Sequence, residues 1–191
     1  MGCRFKNPIL NIHRNDTFQV IYFFIFLAIA CFTFSLIMIK YSMLVNLFLI
    51  IAGLIFFTFS EYIIHRFILH IVKDHTTSEP PSNSHLYHHR FPRDKYRLDI
   101  SLPVAILMAM VFIALFWLVL REKSFVFFSG FATGYCLYHF VHYKIHTVPP
   151  PKSMFKYLWK HHHVHHYMDD TVAFGVTSPF WDIIFGTMPK K

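Results

Sequence analysis

Charged residues are scarce in this chain. Asp, Glu, Lys and Arg make up 15% of its 191 residues and 55% of the sequence is hydrophobic, whereas a soluble domain carries about 25% charged residues. That shortage excludes an ordinary water-soluble domain. Cysteine is nearly missing as well: Cys3, Cys31 and Cys136 are the only three, and none forms a CxxC pair, which excludes a disulfide framework and a thiolate metal or redox site. No polar stretch alternates aromatic with basic residues, so the net charge of +8 is not that of a nucleic acid binder.

Long apolar runs are present instead. A helix needs about 20 apolar residues to cross the hydrocarbon layer, and four stretches qualify: 18–39, 43–64, 102–120 and 125–145. The first continues past Cys31, too long for the apolar core of a cleaved signal peptide, and is read as a retained span. Gly2 in MGCRFK is only half of a myristoylation signal, because Lys6 stands where Ser or Thr is wanted. The connections at 40–42 and 121–124 are too short to hold a domain, so the spans pair into two hairpins. Three of the 18 lysines and arginines sit at those two turns and the other 15 on the opposite face. Positive charge marks the cytoplasmic side, which places both termini, the central segment and nearly every histidine there, in a bacterial inner membrane or the endoplasmic reticulum. The expected fold is all-α: one membrane-embedded domain over 1–191, with four transmembrane helices in two hairpins and a cytoplasmic helical cap from 65–99 and 146–191.

Histidine is the residue in excess, with 15 copies. Ten fall into four groups: HRFILH with His65 and His70; HLYHHR with His85, His88 and His89; HYKIH with His142 and His146; and, in the run HHHVHH, one register of HxxHH, namely His162, His165 and His166. Residues three and four apart share a helix face, so each HxxHH presents three imidazoles to one side. His65 and His70 are five apart, about 140° around an α-helix; either they serve different metals or the helix ends between them. Ten imidazoles exceed the six places of octahedral coordination, so two metals are the simplest arrangement. Imidazole suits zinc, iron, copper and nickel alike. A two-metal site above apolar helices is placed to act on a lipid chain, and attack on an unactivated C–H bond calls for a redox metal handling oxygen, usually iron.

The order HxxxxH, HxxHH, HxxxH and HxxHH is similar to that of the fatty acid hydroxylase superfamily. The text between the histidines, EYIIHRFILH at 61–70, HLYHHRFPRDKYRLD at 85–99 and FGVTSPFWDIIFGT at 174–187, resembles its fatty acid 2-hydroxylase branch, in a short stand-alone form. The resemblance implies oxygen-dependent hydroxylation of a fatty acyl chain at C2, free or within a sphingolipid or other membrane lipid, with the ten histidines above as ligands of two iron ions that zinc can replace. It also implies O2 as co-substrate. Larger relatives carry a fused haem domain that delivers electrons; here a separate electron-transfer protein is expected. Carotenoid and sterol hydroxylases or desaturases share the boxes, but the DKYRL segment argues against them. A metal transporter would carry polar groups in the middle of its spans, whereas here they gather at one edge.

Other positions are read with alternatives open. Glu61 stands one turn before His65 and either accepts a hydrogen bond from it or pairs with Arg66 or Lys73. His139 occupies a place where the family has an acidic residue, and on the stripe of His142 and His146 it is an extra ligand, an outer donor, a pocket residue or a buried structural one. Asp94, Lys95, Tyr96 and Arg97 face the lipid headgroup, clamp the site or are plain surface charge. His13, His75, His161 and His163 are read as solvated. Gly130 and Gly134 form GxxxG, a close-packing signal between membrane helices.

Overall fold

A computed structural model describes residues 16–70, 84–94, 98 and 100–190. Readings that fall on Gly2, Cys3, His13, Lys73, His75, Lys95, Tyr96 and Arg97 lie outside the described residues. Among those described, helix is the only regular structure. Helix α1 (Asp16–Phe34) runs on as a π-helical segment, Ser35–Ile39; α2 (Met43–Ile63) likewise continues as a π segment, Ile64–Leu69. Helix α3 (Ser84–Arg90) is short, α4 (Leu102–Leu120) and α5 (Lys123–Thr147) are long, and α6 (Lys156–Tyr167) and α7 (Phe180–Ile184) complete the chain. Four of these are long and apolar enough to span a membrane: Phe18–Ile39, Met43–Leu69, Leu102–Leu120 and Lys123–Thr147. The chain is a multi-pass membrane protein. The second and fourth spans run five and two residues further than apolarity alone suggests, because their histidine-bearing ends stay helical.

Turn chemistry separates the spans. Lys40 adopts a left-handed conformation with φ 58° and its N–H reaches the Ser35 carbonyl at 3.0 Å. The Ser42 hydroxyl then accepts the Val45 N–H at 3.4 Å, capping α2. Arg121 ends α4 with a positive φ too, 52°, but with ψ −132°, outside the left-handed helical region, and its guanidinium lies 4.8 Å over the Trp117 ring.

Helix α5 is the centre of the bundle, and α1, α2 and α4 pack on it rather than mainly on one another. The α2 contact is the tightest for a definite reason. A methyl group on Gly53 would stand 2.0 Å from the Phe127 carbonyl oxygen, and one on Gly130 would stand 2.1 Å from that of Ile50, so the two backbones touch where both helices lack a side chain. Gly134, the other half of the GxxxG, receives the Phe57 ring. Outward faces are apolar too, with Leu44 and Val119 each 80% exposed, an exterior suited to hydrocarbon.

Candidate metal centre

The structure brings all ten predicted histidines together at one end of the bundle, in two groups of five. One comprises His65, His70, His85, His89 and His165, and the other His88, His142, His146, His162 and His166; within each group the nitrogens lie within 4.8 Å of one another.

Helix geometry explains the partition, which the shared face of each HxxHH leaves open. Positions i and i+4 lie about 40° apart around an α-helix, and i+3 falls about 60° to the other side of i. His85 and His89 therefore enter the first group while His88 enters the second, and His162 and His166 enter the second while His165 enters the first. Each box stands between the groups and feeds both. The nitrogens of His65 and His70 fall in one group rather than two, and the helix does end between them, at Leu69, with His70 as its C-cap at φ −99° and ψ 14°. The intervening segment Ile64–Leu69 is π-helical, and hydrogen bonding from i to i+5 places residues five apart above one another.

The nitrogen spacings test whether an ion fits. In the first group Nε2 of His85 lies 3.1 Å from that of His65 and 3.0 Å from that of His70, which is 3.1 Å from that of His165. In the second, Nε2 of His88 is 3.1 Å from those of His142 and His146, and His146 is 2.9 Å from His162. A metal–nitrogen bond of about 2.1 Å sets ligands at right angles about 3.0 Å apart and tetrahedral ones about 3.4 Å apart. The spacings match the right-angled arrangement of five- or six-coordinate ions. Nε2 of His89 and of His166 is buried without a hydrogen-bond partner, a costly condition that a metal relieves. The histidines fit two metal ions.

Burial keeps these rings in the ligating form. Desolvation, with the neighbouring imidazoles second, pushes His85, His88, His162 and His166 well below the ordinary histidine value. Burial likewise lowers His70, and takes His165 to about 4. The neutral imidazole is the species that binds metal.

The loop at 172–177 supplies what lies behind the first group. The Phe174 carbonyl is 2.5 Å from Nδ1 of His65 and the Val172 carbonyl 2.7 Å from Nδ1 of His165, so both rings donate from Nδ1 and turn Nε2 inward. Among the described residues, Glu61 hydrogen-bonds neither His65 nor Arg66. Its Oε1 accepts the N–H groups of Val176 at 2.6 Å and Thr177 at 3.0 Å, and Oε2 accepts the Thr177 hydroxyl; Arg66 instead donates to the Tyr62 hydroxyl at 2.7 Å. His161 is buried rather than solvated, and its Nε2 donates to Asp182 Oδ2 at 3.0 Å. Asp182 is a residue that spacing could not reveal, since it stands alone in SPFWDII. His163 is half-buried against Tyr167, and the Asp94 N–H bonds to Phe91 at 2.9 Å. His139 belongs to neither group; it is buried, with its ring 4.2 Å from that of Tyr135 and 5.2 Å from that of Tyr138.

Beside the histidines lies a cavity of about 440 Å³. His65, His85 and His88 form its head, and Ile64, Phe57, Val104, Met108, Ala109, Phe112 and Phe131 line its length, with Tyr135 and Tyr138 along the α5 side. Ile68, on the π segment that continues α2, and Val104 and Met108 on α4 are also exposed on the apolar exterior, by 57%, 45% and 36%. The cavity thus meets the lipid-facing surface between two helices that pack mainly on α5 and touch each other through the Phe56 and Phe116 rings, 5.6 Å apart.

The fatty acid hydroxylase family model matches residues 50–187. Fatty acid 2-hydroxylase of Mus musculus is 34% identical over 152 residues, covering 73% of this chain and 39% of its own length. Dihydroceramide fatty acyl 2-hydroxylase FAH1 of Arabidopsis thaliana is 33% identical over 147 residues, covering 74% of this chain and 60% of its own. The chain thus matches 39% to 60% of the length of these two curated relatives. A solved structure described as full length scs7p, with only its hydroxylase domain visible, superposes with a TM-score of 0.82 at 29% identity, covering 97% of this chain and 71% of that one.

Proposed function

Because the chain belongs to the fatty acid hydroxylase family, we propose that it hydroxylates a fatty acyl chain at C2, free or within a sphingolipid or other membrane lipid. The observation that carries this is the convergence of ten histidine nitrogens, five of them on buried residues and five on half-buried ones, in two groups of five at the head of an apolar cavity. His65, His70, His85, His89 and His165 hold one ion, and His88, His142, His146, His162 and His166 the other. Bound iron supplies the redox chemistry by which dioxygen is activated against an unactivated C–H bond.

The chain's own residues do the rest. The carbonyls of Val172 and Phe174 fix two ligand rings, and the apolar walls from Ile64 to Phe131 receive the acyl chain and exclude water from its reacting end. With the slot between α2 and α4 open to the bilayer side, a lipid enters without leaving the membrane. Insertion of one oxygen atom, with the other leaving as water, consumes two electrons and two protons, which we assign to a separate electron-transfer protein. The excess of basic residues on the histidine side supports a cytoplasmic assignment for that side and for both termini, in a bacterial inner membrane or the endoplasmic reticulum. The names of the relatives, which speak of fatty acyl and dihydroceramide 2-hydroxylation, support C2 and a sphingolipid-type substrate.

Lipid analysis of cells with and without the protein tests the proposal: 2-hydroxylated acyl chains appear only in its presence. An unchanged 2-hydroxy fraction, with the protein present and metal-loaded, refutes it.

A further inference from the structure

Asp182, on the short helix α7, is fully buried and its carboxylate receives four donors. Oδ1 accepts the Phe174 N–H at 2.9 Å and the Thr187 hydroxyl at 2.7 Å; Oδ2 accepts the Gly175 N–H at 2.8 Å and His161 Nε2–H at 3.0 Å. Burial by itself would raise this carboxyl, yet the hydrogen bonds from His161, Thr187 and Gly175 outweigh it and hold it below its ordinary value. It is therefore a charged acceptor at the centre of a fixed network.

That network ends on metal ligands. The N–H groups of Phe174 and Gly175 go to Asp182, and those of Val176 and Thr177 go to Glu61, so four successive amides are pinned by two buried carboxylates. The Ala173 N–H bonds to the Thr187 carbonyl at 2.9 Å, even though Ala173 must adopt φ 59°, a conformation that costs a non-glycine residue about 1 kcal/mol. A segment held this firmly presents its carbonyls at fixed points, and the points are Nδ1 of His65 and Nδ1 of His165. Both rings belong to the first group. In the second group the buried Nδ1 atoms of His88, His162 and His166 have no such acceptor among the described residues.

We infer that Asp182 is a positioning residue for one of the two metal sites: through loop 172–175 it aims His65 and His165, and the second site does not depend on it. The inference rests on the ten histidines holding two ions. Removing an outer partner of a ligand histidine weakens metal binding by about 10- to 100-fold, and the orphaned loop would lose that hold at one site only.

The test titrates the purified, chelator-stripped full chain with cobalt(II), following uptake and the visible absorption of the bound ion. The wild-type chain takes up two ions. Asp182→Asn takes up one as the wild type does and the other about 10- to 100-fold more weakly. In a His142→Ala background, which disables the second group, the substitution still weakens the remaining ion; in a His70→Ala background, which disables the first, it does not. Should Asp182→Asn fail to fold, Thr187→Val removes a single donor to Oδ1 and gives the same selective weakening, smaller in size. Equal weakening of both ions, or affinities matching the wild type, overturns the inference while leaving the two-ion reading standing. A wild-type chain that takes up no cobalt overturns that reading and the inference with it.

Discussion

The carboxylate of Glu61 on α2 accepts the backbone N–H of Val176 at 2.6 Å across 115 residues of sequence. This bond and its companion from Thr177 at 3.0 Å tie a membrane helix to the loop behind the first histidine group. Glu61→Ala leaves buried donors unpaired, at about 1–3 kcal/mol each, whereas Glu61→Gln keeps an oxygen for both amides. Thermal unfolding in detergent is expected to drop strongly for the alanine variant and little for the glutamine variant. Equal losses in the two would contradict the amide-acceptor role.

Acid is expected to destabilise the metal-free protein. Burial holds His70, His85, His88, His162, His165 and His166 below 6.5, His165 at about 4, so below 6.5 the unfolded chain binds more protons than the folded one. Stability rises with pH wherever the unfolded state holds more protons. It is therefore complete above about pH 6.5 and declines steadily through the window down to about pH 4. Unfolding temperature against pH, with and without zinc, measures this; a flat metal-free profile across that window would be incompatible with neutral buried rings.

Chain length is expected to be set along the cavity. Ala109 on α4 is buried and lines it, and Ala109→Phe adds a ring where the acyl tail would lie. Two ions remain bound, and product analysis on a series of acyl lengths shows activity on the longest chains falling at least tenfold, about 1.4 kcal/mol, with shorter ones spared. Uniform loss across the series would place the tail elsewhere.

His139 is expected to act through the cavity wall. Its ring packs on Tyr135 and Tyr138, both of which line the cavity, and it stands outside both histidine groups. His139→Asp should keep both ions and change rate or chain-length preference by about tenfold or less, on the order of 1.4 kcal/mol. His142→Ala, by contrast, removes a member of the second group and should lower metal content and abolish activity. Loss of metal in His139→Asp would make it a ligand.

Much of this was legible in the sequence because its signals are coarse or local. Apolar runs such as Leu102–Leu120 announce spans by length alone, and the described helix has the same bounds. The ten histidines announce themselves by number and spacing. Their sorting was not legible, since spacing tells that His85, His88 and His89 share a helix face without telling that the face divides between two centres. The partners of Glu61, His161 and Asp182 were equally hidden. Those bonds join residues 21 to 116 positions apart or depend on a loop's path, and no periodicity encodes them. His161 illustrates the point: beside two other histidines it reads as solvated, yet it is buried with its Nε2 on the Asp182 carboxylate of α7.

The π-helical segment at Ile64–Leu69 also bears on how this sequence tolerates insertion and loss. A π turn holds one residue more than the α turn it replaces, so deleting any one residue between His65 and His70 would return the helix to α geometry and leave the two histidines four apart, again on one face. Adding one residue would carry His70 away from His65 by a large part of a turn. The two changes, equal in size as edits, are unequal in consequence, and aligned relatives can be expected to show the shorter spacing here but not the longer.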